Sequence, residues 1–138
     1  MSDSAMRMSG LPLWDGEGFQ GVADLEWNHG RFTRVTADAG TTVVNNDLSI
    51  IPGLIDTHVH FDSYAGSGSV DWMTWPLITP EPERSLHVVA HARKAAAAGV
   101  TTLRDLSGSA VQLAAARALA AGLLPGPRVL VPGAVGWL

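Results

Sequence analysis

One segment constrains this chain more than any other: Ile50-Ile51-Pro52-Gly53-Leu54-Ile55-Asp56-Thr57-His58-Val59-His60. It opens as an apolar run suited to a strand buried on both faces and ends in two histidines two residues apart. Side chains alternate along a strand, so His58 and His60 point the same way. Two imidazoles presented together suit a divalent metal with nitrogen and oxygen ligands. Asp56 and Asp62 share the same parity and stand as further ligands or orienting acceptors. Burying such a group is costly without a metal or mutual hydrogen bonds, and the end of a parallel strand is where α/β active sites lie. The competing reading is a chance His-X-His whose rings are merely packed.

The surrounding sequence has two textures. Over residues 1–50, Gly21-Val22-Ala23-Asp24-Leu25-Glu26-Trp27 and Arg31-Phe32-Thr33-Arg34-Val35-Thr36 alternate as half-buried strands do. Asn28-His29-Gly30 between them predicts a turn, with Asn and Gly taking positive φ. Residues 41–44 read as another strand, and Trp14 and Trp27 as packing residues of this small β layer. From residue 50 the order changes to strand, helix, strand, helix, strand. The spacing predicts a long loop over 61–78 and a helix from Thr79-Pro80 (cap and first turn) to about Ala98, with Gly99 as its stop. A strand over 100–105, a helix from about Ser109 to Ala121, and a third strand over 128–131 follow. Alternating strands and helices predict a parallel sheet, opening either a doubly wound fold or a barrel.

Composition narrows the function. With 138 residues the chain is one domain, or one and part of another, far short of the roughly 250 of a full α/β barrel. Nine Lys+Arg against 13 Asp+Glu give a net charge of −4, and no basic cluster argues for nucleic acid or an anionic membrane. The absence of cysteine rules out disulfides, iron–sulfur clusters and a thiol nucleophile. No secretory signal or membrane span is read, so the expected location is the cytoplasm.

Three segments, in order, resemble one family. Ile51-Pro52-Gly53-Leu54-Ile55-Asp56-Thr57-His58-Val59-His60 is similar to the opening motif of the amidohydrolase superfamily, metal-dependent hydrolases on a (β/α)8 barrel. Gly99-Val100-Thr101-Thr102-Leu103-Arg104-Asp105 resembles that family's second barrel strand, and Gly122-Leu123-Leu124-Pro125-Gly126-Pro127-Arg128-Val129 the entry to its third. The phrase is most familiar from the branch of imidazolonepropionase-like enzymes and metal-dependent dipeptidases.

The resemblance implies an α/β fold: the N-terminal part of a (β/α)8 (TIM) barrel over 51–138, preceded by part of a small β-sandwich over 1–50. It implies that His58 and His60 ligate the more buried of one or two divalent ions, taken as Zn²⁺. A metal-activated hydroxide then hydrolyses amide or peptide-like C–N bonds in a small-molecule or dipeptide-like substrate. The family's bridging lysine, its later histidines and its proton-shuttling aspartate come from strands this sequence does not contain. No catalytic residue is therefore assigned in this chain. It is expected to be an N-terminal portion (a truncated product, a processed piece, or one of two chains) needing a complementary polypeptide and forming a homo-oligomer.

Other residues have two readings each. Asp105 either orients a ligand histidine from behind or caps the next helix and pairs with Arg104. His87 and His91, four apart on one helical face, read as a solvated or helix-packing face rather than a metal pair, and His29 as a surface turn residue. In the long loop, Tyr64, Trp72, Met73 and Trp75 either wall a substrate pocket or cover a rim or oligomer contact; Gly66, Gly68 and Asp71 lie among them. Two rivals to the hydrolase remain: a catalytically inactive fragment or subunit that associates through open strand edges, and a small flavodoxin-like binding module.

Overall fold

A computed structural model describes residues 5–38, 42–43 and 47–132. The chain divides into two compact units, Met1–Pro52 and Gly53–Leu138, each with its own three-stranded sheet.

The first unit is an antiparallel sheet in the order β1 (Met6–Trp14), β2 (Phe19–Asn28), β3 (Arg31–Asp38). The β2–β3 hairpin follows the alternation of the sequence. Its turn residues are His29 (φ 49°) and Gly30 (φ 72°), the pair of left-handed conformations that a two-residue hairpin loop requires. Positive φ thus falls on His29 rather than Asn28, which ends β2. Strand β1 had no alternation to announce it. Its register with β2 shifts between Met8 and Leu11, and a bulge there breaks the period of two. Leu11, Val22, Ala23 and Leu25 are buried, Trp27 is half-buried, and Trp14 is exposed. Of the strand expected over 41–44, positions 41 and 44 lie outside the described residues; 42 and 43 are in no regular element.

The second unit is parallel, in the order β4 (Leu54–Val59), β5 (Val100–Asp105), β6 (Arg128–Leu130). The connections carry α1 (Trp75–Ile78), α2 (Glu81–Ala97) and α3 (Ala110–Ala120). Val88 and Ala92 of α2 and Val111 and Ala115 of α3 close over Leu103 of β5 and Phe61, forming the core. Their i, i+4 spacing is what gives each helix one apolar face. Ser109 caps α3: its hydroxyl accepts from the Gln112 N–H while the Gln112 side chain accepts from the Ser109 N–H, a reciprocal capping box.

Three expectations are corrected. Leu54 through His58 are exposed, with Ile55 at 66%, whereas the apolar run predicts burial on both faces. Among the described residues β4 lies at a sheet edge beside β5, and α2 and α3 pack against β5 and β6. Thr79 ends α1 instead of capping α2, whose N-cap is Pro80 without a side-chain bond. The loop over 61–78 is not structureless, since α1 closes it.

The Pro52-Gly53 step has a packing cause. A Cβ on Gly53 would run into the side chain of Thr101, whose own Cβ would be 2.7 Å away. That close approach lets the Leu54 N–H reach the Gly99 carbonyl at 2.9 Å, which starts the β4–β5 ladder.

Candidate functional site

The C-terminal ends of β4 and β5 are level: Val59 pairs with Asp105, and the Leu106 N–H donates to the Val59 carbonyl at 3.0 Å. His58, inside β4, and His60, just beyond it, emerge at this end. Their ring centroids are 5.6 Å apart with planes at 62°, and both residues are exposed. A tetrahedral ion holding two imidazoles at roughly 2.0–2.1 Å puts their centroids roughly 5 Å apart. The centroid spacing of the pair is close to that of two such ligands. Among the described residues no group of three His, Asp or Glu side chains converges on a metal position.

Asp56 is exposed and accepts from the His58 backbone N–H at 3.1 Å, bracing the strand that carries the pair. Asp62 points elsewhere. It is bound by Arg84 of α2 and accepts from the Ser109 hydroxyl at 2.9 Å, so its oxygens are occupied.

Asp105 is 1% exposed. Its Oδ1 accepts from the N–H and the hydroxyl of Ser107 (2.8 and 2.9 Å); its Oδ2 accepts from the Phe61 N–H (3.1 Å) and the Gln112 amide (2.8 Å). None of these partners is a histidine, and the helix cap is Ser109. Asp105 instead reaches His60 through one hydroxyl, since Ser107 Oγ lies 3.1 Å from His60 Nδ1.

Helix α2 ties down the loop that follows β4. His87 Nδ1 accepts from the Ala65 N–H at 2.9 Å, and its ring sits 5.1 Å from those of both Tyr64 and Trp75. His91 Nε2 bonds the Ser63 carbonyl at 3.2 Å, and Lys94 the Ala65 carbonyl at 2.6 Å. Burial is the main influence on His91, holding its pKa below the ordinary 6.5. His87 and His91 thus anchor the loop, where the sequence alone reads as a solvated or helix-packing face. Between loop and sheet end runs a groove of about 710 Å³, with His60 and Ser107 on one side and Trp72, Met73 and Pro76 on the other.

Sequence reasoning missed Ser107, Gln112 and Arg84. The pattern Ser109-x-x-Gln112 is a legible capping-box signature. Arg84 and Asp62 are 22 residues apart, beyond any local pattern.

Residues 49–136 match the model of the Amidohydrolase family. Among solved structures, the chain is similar to a Xaa-Pro dipeptidase with bound methionine in the active site (21% identity, covering 96% of this chain and 34% of that one, TM-score 0.74). It is also similar to phenylurea hydrolase B (25%, 96% and 31%, 0.68) and to A. niger ochratoxinase (22%, 92% and 30%, 0.68). It spans about a third of the length of these structures. No curated protein matches it significantly. Among the described residues no helix is long and apolar enough to cross a membrane.

Proposed function

The chain belongs to the amidohydrolase family, and from that premise we propose that it supplies the first strands of a metal-dependent hydrolase barrel acting on amide or peptide-like C–N bonds. The observation that carries this reading is the pair of rings, His58 and His60, side by side at the C-terminal end of β4. In it they are two ligands of one divalent ion, taken as Zn²⁺, with a second ion admitted beside it. When bound, such an ion would supply Lewis acidity, lowering the pKa of water towards neutrality and polarising a carbonyl. The chain's own residues do the positioning. Asp56 braces the strand, Ser107 and Asp105 back His60, and Trp72 and Met73 line the groove. The dipeptidase and phenylurea hydrolase among the similar structures favour a dipeptide-like or other small-molecule substrate. The cytoplasm is its working compartment in this reading.

Two imidazoles do not complete a catalytic metal centre, which takes about three protein ligands and a water. The remaining ligands and the catalytic acid/base are assigned to a complementary polypeptide that completes the barrel, in an assembly that also self-associates. The open side of the sheet supports this. Leu54, Ile55 and Leu130 are 50%, 66% and 52% exposed, and parallel sheets are stable when both faces are covered.

The test is metal content and dipeptide hydrolysis of the assembled protein. The reading expects bound divalent metal, chelator-sensitive hydrolysis, and loss of both in His58→Ala. An assembly that holds no metal, or hydrolysis indifferent to chelators, overturns it. An assembly that forms yet hydrolyses nothing points to an inactive, associating subunit.

A further inference from the structure

We propose that Ser107 is a positioning residue that locks His60 in the Nδ1–H tautomer, leaving the Nε2 lone pair for a divalent cation. The assignment follows from counting donors and acceptors, starting at groups whose roles are fixed.

The Ser109 backbone N–H can only donate, and it points at the Gln112 side chain at 2.6 Å. The atom it meets is therefore the amide oxygen, which places the amide nitrogen and its two hydrogens on the opposite side. Those two hydrogens go to Asp105 Oδ2 at 2.8 Å and Ser107 Oγ at 2.9 Å. A carboxylate only accepts and offers about four lone-pair positions. Asp105 fills them with the Phe61 N–H, the Ser107 N–H, the Gln112 amide and the Ser107 hydroxyl. The single hydroxyl proton of Ser107 is thus spent on Asp105, and one Oγ lone pair is spent on Gln112. What remains towards His60, 3.1 Å away, is a lone pair. His60 must donate from Nδ1, and in the neutral ring the other nitrogen then bears no proton.

The network is built rather than incidental. Gln112 is fully buried and Asp105 nearly so. A partner that fixes the tautomer and orientation of a ligand imidazole is a recurrent support of metal sites, and its loss lowers metal affinity roughly 10–100-fold. The cation part of this inference rests on the hydrolase reading above; the tautomer part stands without it.

The experiment is two-bond ¹⁵N–¹H correlation NMR of the histidine rings in the 138-residue chain, at a pH of about 8 where imidazole is neutral. The expected result is the Nδ1–H pattern for His60, a mixed or Nε2–H pattern in Ser107→Ala, and its recovery in Ser107→Thr. An Nε2–H pattern for His60 in the unmodified chain overturns the assignment with no variant required, as does a pattern unmoved by Ser107→Ala. Zn²⁺ titration of the assembled protein supplies the second arm. Ser107→Ala is expected to weaken binding roughly 10–100-fold, and unchanged affinity overturns the link between tautomer and cation. Should His58→Ala and His60→Ala also leave Zn²⁺ binding unchanged, it is the hydrolase reading that fails, while the tautomer pattern still decides the Ser107 assignment.

Discussion

The guanidinium of Arg84 on α2 forks onto the carboxylate of Asp62, just beyond β4, with Nε and Oδ1 at 3.0 Å. Both side chains are largely buried, 13% and 6% exposed, and Asp62 raises the already high pKa of the arginine. Arg84 also donates to the Pro76 carbonyl, and Ser109 to Asp62. One ion pair thus joins the loop after β4 to the start of α2 and the cap of α3. Removing one partner of such a pair leaves an uncompensated charge. Arg84→Ala is expected to cost about 3 kcal/mol in urea unfolding. Arg84→Lys keeps the charge but not the fork and restores only part of that. An Arg84→Ala protein as stable as the parent contradicts this role.

Gly53→Ala tests the contact that starts the parallel ladder. The added methyl meets the Thr101 side chain close to its backbone, where no rotamer change relieves it. Overpacking of this kind costs roughly 1–3 kcal/mol. Gly53→Ala combined with Thr101→Gly is expected to recover most of the loss, measured as a shift in the unfolding midpoint. Equal stability of parent and Gly53→Ala counts against the close approach.

His91 gives the fold a pH dependence with a definite sign. Its pKa is lower folded than unfolded, chiefly through burial, so the unfolded chain binds the proton more readily. Stability is then complete above the ordinary value of 6.5 and declines as pH falls from there through the lower folded value. His91→Gln retains a donor towards the Ser63 carbonyl and removes the titration. Its unfolding free energy is expected to vary less between about pH 7 and pH 5 than that of the parent. A parent and variant with the same slope contradict the assignment. Asp15, Asp24 and Asp71, held below 3.8 by hydrogen bonds, act at lower pH.

What was legible in the sequence was periodic or local. The β2–β3 hairpin came from alternation, the helix expected from about Ser109 to Ala121 matches α3 (Ala110–Ala120), and the His58/His60 pair came from the period of two. What was not legible depended on neighbours or on breaks in period. β1 is hidden by its bulge, and the exposure of β4 depends on what lies beside it rather than on its own apolar run. The link from Asp105 to His60 runs through Ser107, whose partners come from β5, α3 and the end of β4. No single stretch of sequence displays such a network.

The central claim is that His58 and His60 act on one cation together. Paramagnetic Co²⁺, added in small amounts to the assembled protein, tests it through the histidine ring signals. The account predicts that the His58 and His60 signals broaden first and together, ahead of those of His29, His87 and His91, and that His58→Ala protects His60. Broadening of His58 and His60 independently of one another, or no earlier than the other three, would contradict it.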